Sequence, residues 1–458
     1  MINKNLSVIA KMIDAEIINK DFNDTIISGV CIDSRKVKEN NLFIPIKGLN
    51  TNGHNYIKNA IENGAVATLW NKDEPNPPTN IGVILVDDTV ESLQSLATAY
   101  RKMLSAKFIG ITGSNGKTST KDIVGGVLSI KYKTQKTMGN YNNELGVPLT
   151  ILSLDEDCEV AVVEMGLEKK GDLLFLKDMV MPNIGILTNV GPIHIENFNS
   201  VEEIADAKLE ILDCIGDNGL FIYNGDDELI KGAIKKVKIN NTLTIKKFGK
   251  QLGNDLYCID IDQNEHGITF KTNGEVNDIF GINMLGKHQA INALSAIIAS
   301  KYFDLTNSDI KEGLKNIQKT GLRNELVTIK KCTILDDSYK SNPISTLAAL
   351  DTFEVLKSPK KIVVLGDMVG LGEDAIKFHY EIGEKLSNYT VDELVVFGPL
   401  AKNIAEGAKG IVKSIKMFDD KSLMIEYLSK YLDEDCMMLV KASRSLELDE
   451  VVDKLKLK

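Results

Sequence analysis

Short runs that are apolar from end to end recur along the chain: "KFIGIT" from Lys107, "EVAVVE" from Glu159, "NIGILT" from Asn183 and "GLFIYN" from Gly219. Between them, apolar residues recur three and four apart, as in Ile123, Val124, Val127 and Leu128, or Val201, Ile204, Ile211, Leu212 and Ile215. The first pattern predicts strands buried on both faces and the second predicts helices. The middle of the chain therefore reads as a parallel sheet with helices on both sides. A weaker β-rich stretch runs from Thr242 to Thr272, and the strongly apolar "QAINALSAIIASKYF" from Gln289 predicts the helix that closes this block.

The same alternation returns near the C-terminus in "CTILDD", "KIVVLGD", "ELVVFG" and "CMMLVKA". Near the N-terminus lie shorter strand-like pieces ("SGVCID", "NLFIPI", "GVILV"), a helix-like "YIKNAIENGA", and a loop "KDEPNPPTN" broken by Pro75, Pro77 and Pro78. The expected fold class is α/β with three domains. These are a small α/β N-terminal domain over 1–85, a central parallel-sheet domain over 86–321 and a C-terminal Rossmann-like α/β domain over 322–458.

Composition narrows the function. With 458 residues, 43% hydrophobic and 26% charged, the chain has the make-up of a soluble globular protein. Its 54 basic and 64 acidic residues leave a net charge of −10, which argues against nucleic acid as a partner but not against a small nucleotide. No signal-peptide pattern and no run long enough to span a bilayer is present, so a cytoplasmic location without membrane insertion is expected. The six cysteines are scattered without a C-x-x-C, as expected of free thiols in a reducing compartment.

The stretch "FIGITGSNGKTSTKDIV" places glycines between a buried strand and a helix that starts near Lys117. Backbone N–H groups in such a turn face outward and the helix N-terminus favours anions, so phosphate binding is expected. Lys117 adds a point charge for the β and γ phosphates, and Thr118 offers a hydroxyl to Mg²⁺. The strict G-x-x-x-x-G-K-[ST] pattern would need glycine at 111, where Ile111 stands; the glycines here are Gly110, Gly113 and Gly116. The loop alone does not tell ATP from GTP, nor kinase, switch or ligase; that the central domain is a P-loop ATPase is what the resemblance given below implies. "NKDE" at Asn71 does not fit a guanine-reading motif and precedes the loop, which sets a GTPase aside.

Glu164 ends one apolar strand and His194 follows another. Ligands collect beyond the carboxyl ends of parallel strands, so both are expected to converge with Thr118. Each alone also reads as a surface strand end or a loop histidine. Lys208 falls four after Ile204 and three before Ile211, on the apolar stripe of a helix begun by Ser200 and Glu203 in capping-box positions. Two readings stay open for it: the amine reaches water past its own stem, or burial depresses its pKa and frees it for chemistry.

These residues resemble the Mur ligases. "GITGSNGKTSTK" has that family's shifted glycine spacing, and "GNYNNELGVPLT", "EMG", "TNVGPIHIENFNS", "AKLEIL", "GKHQAINAL", "GLRNEL", "DDSYKSNP", "VVLGDM" and "VKASRS" follow in the family's order. The N-terminal "DSRKVKENNLFIPIKG" and "NGHNYI" are similar to its uridine-nucleotide domain. The resemblance implies an ATP-dependent ligase that joins D-alanyl-D-alanine to UDP-N-acetylmuramoyl-tripeptide through an acyl phosphate, in peptidoglycan precursor synthesis. Implied cofactors are ATP and two Mg²⁺ ions.

By the same resemblance, Gly113, Ser114, Asn115, Gly116, Lys117, Thr118 and Ser119 would bind ATP, with Asn292 on adenine and Asp337 helping to hold the nucleotide. Arg323 would reach the phosphates from the last domain, which closes on the site. Thr118 and Glu164 would hold one metal; His194 and Lys208 would serve the other, with Lys208 carbamylated. Lys117, Glu164, His194, Lys208 and Arg323 form the expected catalytic set. Ser34 and Arg35 would bind the uridine nucleotide, and Asn142 and Asn143 the muramoyl peptide.

Lys441, Ser443 and Arg444, after a buried strand, are candidates to anchor the dipeptide's carboxylate. His379 reads as a dipeptide-site residue or a helix-surface histidine. The chain departs from the family at Gln289, at Lys340 (where an asparagine is usual), at Gly370 (where a glutamate is expected) and in "LEKKGDL". Alternatives are a ligase of this family with another amine donor, or a nucleotide-binding paralogue without catalysis. A monomer is expected.

Overall fold

The computed structural model describes residues 1–458. Each apolar run sends alternate side chains to opposite faces of its sheet. In strand Lys107–Thr112, Phe108 joins one hydrophobic cluster while Ile109 and Ile111 join another. Strand Val160–Glu164 divides likewise, with Ala161 and Val163 on the first face and Val160 and Val162 on the second. This two-sided burial is why the interiors of these strands lack polar positions.

The middle sheet has nine strands, in the order Asp278–Ile282, Gly267–Gly274, Leu256–Asn264, Thr244–Gly249, Leu220–Asn224, Ile184–Leu187, Lys107–Thr112, Val160–Glu164 and Thr134–Lys136. From Thr134–Lys136 to Leu256–Asn264 all pairings are parallel. The last two strands add antiparallel, so the β-rich stretch after Thr242 extends this sheet, which is mixed rather than purely parallel. Helices Lys117–Leu128 and His288–Tyr302 cover one face, with Ile123, Val124, Val127, Leu294 and Ile297 in its core.

A five-stranded sheet precedes it, parallel apart from its edge strand Glu16–Ile17. Helix Thr89–Met103, capped by Asp88 on the N–H groups of Val90 and Glu91, buries Leu93, Leu96, Ala97 and Tyr100 in a core shared with the middle sheet. The last sheet has six strands and is parallel apart from its edge strand Glu325–Ile329. No helix is long and apolar enough to cross a membrane.

The helix after Ser200 runs Val201–Leu209 and resumes at Ile211–Cys214. Ser200 caps it by accepting the Glu203 N–H. Glu203 reaches one residue further back than a capping box requires, to the N–H of Asn199.

Candidate active site

The loop between strand Lys107–Thr112 and helix Lys117–Leu128 is shaped by two glycines with positive φ. At Gly113 (φ +145°) a Cβ would fall 1.9 Å from Thr188 Oγ1, and Gly116 (φ +79°) occupies the N-cap position. The neighbouring segment 188–191 braces the loop. Thr188 Oγ1 donates to Asn115 O (2.6 Å), the Asn115 N–H donates to Asn189 Oδ1 (2.9 Å), and Ser114 Oγ accepts the Gly191 N–H (2.8 Å). Lys117 Nζ donates to Gly113 O (2.6 Å), which holds its charge over the loop.

Parallel register pairs Glu164 with Ile111 and Leu187 with Thr112, so Glu164 ends level with the loop. Glu164 is 2% exposed. Its Oε2 accepts from Thr118 Oγ1 (2.8 Å) and its Oε1 from Asn142 Nδ2 (2.8 Å). The expected meeting of Thr118 and Glu164 is thus direct.

A cavity of about 1230 Å³ lies between the middle and last sheets. Residues 113–119, Asn142, Asn143, Glu164, His194, Lys208 and Asn292 line one side; Arg323, Asp337, Lys441, Ser443 and Arg444 line the other. Ser34 and Arg35 lie apart, on the turn Ser34–Lys36 of the first sheet. There Arg35 forks onto Asp33 at 2.9 Å through Nε and Nη2.

Several candidate side chains have partners within the chain. Asn292, on the cavity wall, packs its amide against Gly116 and donates to Gln289 Oε1 (2.9 Å), beside the phosphate loop. Asn143 uses Oδ1 to accept the Gly146 N–H at the start of a helix (3.0 Å). Lys441 is buried with its ammonium on Asp337 Oδ2 (2.5 Å) and Lys340 O (2.8 Å), and Arg444 is paired with Asp449 (2.5 Å). His379 is neither on a helix surface nor on the cavity. It is fully buried, donates from Nδ1 to Ala375 O (2.6 Å) and accepts the Met368 N–H on Nε2 (2.9 Å). It braces the segment leading to Val369, Gly370 and Leu371, which line the cavity. Gly370 (φ +77°) faces the Glu196 carboxylate across the cleft, so a glutamate at 370 would set two acids against each other.

Cationic groups dominate the charge balance. Burial, then the Lys340 ammonium, pulls Lys117 down to about 8. The same two causes pull His194 down to about 4. Lys208, 4% exposed, is held well below the usual lysine range by burial, then by Lys117 and Lys340. This excludes the snorkelling reading. Arg323 lies over the Tyr339 ring at 4.2 Å.

Sequence reasoning passed over several residues here. Thr188 and Asn189 hold the loop, and Asn342 of the last domain donates to Asn115 Oδ1 (2.8 Å) across the cleft. Glu210 accepts the Gly171 N–H (3.0 Å), which ties the "LEKKGDL" segment to the Lys208 helix. Polar residues within quoted motifs were the available signal; their partners were not.

The fold and site define a phosphate-loop nucleotide enzyme whose cavity is lined on one side by a separate C-terminal domain. Residues 26–101, 111–300 and 322–444 match, in turn, the Mur ligase family catalytic domain, the Mur ligase middle domain and the Mur ligase glutamate ligase domain. The UDP-N-acetylmuramoyl-tripeptide–D-alanyl-D-alanine ligase of Bacillus subtilis is 39% identical over 459 residues, covering 99% of each chain. A crystal structure of MurF from Acinetobacter baumannii superimposes with a TM-score of 0.87 at 25% identity, covering 100% of both chains. MurF from Thermotoga maritima, solved with ADP, gives a TM-score of 0.79 at 27% identity over 93% of this chain and 97% of that one. The chain belongs to the Mur ligase family.

Proposed function

We propose that this chain is an ATP-dependent ligase that joins D-alanyl-D-alanine to UDP-N-acetylmuramoyl-tripeptide, a step in peptidoglycan precursor synthesis. The likeness to the B. subtilis ligase over 99% of both chains supports the substrates. The observation that carries the chemistry is the Thr118–Glu164 hydrogen bond beneath the phosphate loop, at the mouth of a cavity that the last domain completes.

A carboxylate is a poor electrophile. In the proposed reaction its oxygen attacks the γ-phosphorus of ATP, ADP leaves, and an acyl phosphate forms. The dipeptide amine then attacks the acyl carbon, loses a proton, and the C–O bond to phosphate breaks. Both reactants of the first step are anionic, so Lys117 and Arg323 must neutralise charge before they meet. The cavity between two domains keeps the acyl phosphate from water.

The donor set fits Mg²⁺ at one position: the Thr118 hydroxyl and the Glu164 carboxylate are hard oxygen ligands, and phosphates and water complete such sites. No group of three His, Cys, Asp or Glu side chains surrounds a common point, so protein alone would not hold the ion. At a second Mg²⁺ beside His194, a carbamate on Lys208 would add an anionic oxygen ligand. A neutral amine attacks CO₂ and releases a proton to give a carbamate, and the depressed Lys208 suits that step. Bound Mg²⁺ would offset charge on the phosphates and the carboxylate.

Dependence on ATP supports a cytoplasmic location. Inorganic phosphate release, measured with ATP and UDP-N-acetylmuramoyl-tripeptide, should rise sharply on adding D-alanyl-D-alanine. A rise only with another amine would replace the donor, and no release with any amine would favour a non-catalytic paralogue.

A further inference from the structure

We propose that Lys340, on the last domain, is a further positioning residue of this reaction: its ammonium binds the γ-phosphoryl group of ATP and stays with it during transfer. The inference rests on the ligase reading above. Lys340 lines the same cavity as Lys117, His194, Lys208 and Arg323. Its backbone is fixed, because its carbonyl accepts from Lys441 Nζ (2.8 Å), and that ammonium is itself locked to Asp337 (2.5 Å). The Lys340 ammonium has no hydrogen bond or ion pair of its own. Burial, then Arg323, lowers its pKa, with Glu164, Glu168 and Glu196 opposing. Of these acids, Glu164 is already engaged by Thr118 and Asn142.

Lys117, Arg323 and Lys340 thus line one cavity, and none of the three forms an ion pair with the Glu164, Glu168 or Glu196 carboxylates that share it. Like charges repel strongly where water is scarce, so such a cluster holds together best around an anion brought from outside. The triphosphate is that anion. Its γ end is favoured over the dipeptide carboxylate because Asn342, two residues after Lys340, donates to Asn115 of the phosphate loop (2.8 Å), and the Lys340 charge acts on Lys117. An asparagine at this position could donate a hydrogen bond but could not neutralise charge.

The test compares ADP with the non-hydrolysable β,γ-imido analogue of ATP, by titration calorimetry on the full chain. Lys340→Ala should bind ADP as the wild type does, which also reports an intact fold, but should bind the analogue about tenfold more weakly. Its kcat should fall about 10²-fold, and Lys340→Arg should recover part of both losses. Equal weakening of ADP and analogue, no change in either, or an effect confined to the KM for D-alanyl-D-alanine would each overturn the proposal. If the wild type itself released no phosphate with both substrates, the ligase reading would fail, while the ADP-against-analogue comparison would still decide Lys340.

Discussion

Asp122 Oδ2 accepts the backbone N–H of Thr320 at 2.6 Å, so the helix that follows the phosphate loop grips the segment that leads into the last domain. Asp122 is 2% exposed, and its Oδ1 accepts from Lys136 Nζ (2.6 Å). Lys136 also donates to Gln318 O (2.6 Å), and Lys121 Nζ lies 3.3 Å from Thr320 Oγ1. Arg323 follows three residues after Thr320. The helix after the phosphate loop and the last domain are therefore tied at the connecting segment as well as across the cavity.

Asp122→Ala should leave the Thr320 N–H and the partly exposed Lys136 ammonium without this partner. An unsatisfied polar group of this kind costs about 1–3 kcal/mol, to be read from urea unfolding. Asp122→Asn keeps the shape and should cost less. Its signature should be a lowered kcat with the KM for D-alanyl-D-alanine little changed, because Arg323 loses its anchorage. Unaltered kinetics in both variants would separate this contact from catalysis.

Thr118→Ala and Glu164→Gln each remove an oxygen ligand at the proposed Mg²⁺ position. Turnover should fall about 10²-fold in each, and the Mg²⁺ concentration for half-maximal rate should rise. An Mg²⁺ dependence identical to the wild type in both variants would remove these residues from the metal.

Lys208→Ala should lower turnover sharply, and short carboxylic acids should restore part of it by filling the place of a carbamate. Mass spectrometry of the intact chain under bicarbonate is a second readout. Undiminished turnover in the variant would end the carbamate proposal.

His379 gives a pH dependence of stability. Burial lowers its pKa from the usual 6.5, and its two hydrogen bonds fix the neutral ring. Below about pH 6.5 the unfolded chain takes up a proton here that the folded chain refuses, so stability falls as pH drops. His379→Gln should flatten the fall in melting temperature between pH 7 and 5, after comparison at equal ionic strength. A slope unchanged from the wild type would assign the acid sensitivity elsewhere.

Much of this molecule was legible in its order of residues. Strands such as Lys107–Thr112 reveal themselves because both faces are covered, and Gly113 and Gly116 mark a turn that only glycine can make closely. Lys208 could be placed on a buried stripe from periodicity alone. The mixed edge of the middle sheet was less visible, because its half-exposed strands carry alternating polar residues without a long apolar run. Pairings between distant segments left no local trace. Asn342 on Asn115, Asp337 on Lys441 and Asp122 on Thr320 are brought together only when the domains pack. His379 looked like a surface residue because its neighbours Lys377 and Glu381 are polar, yet its own position faces inward.

Oxygen-18 placed in the γ-phosphoryl-accepting carboxylate of UDP-N-acetylmuramoyl-tripeptide tests the acyl-phosphate route directly. In that route one labelled oxygen leaves with phosphate when the amine displaces it, so the inorganic phosphate formed during one round of D-alanyl-D-alanine addition should carry the label. Product formed with unlabelled phosphate would contradict it.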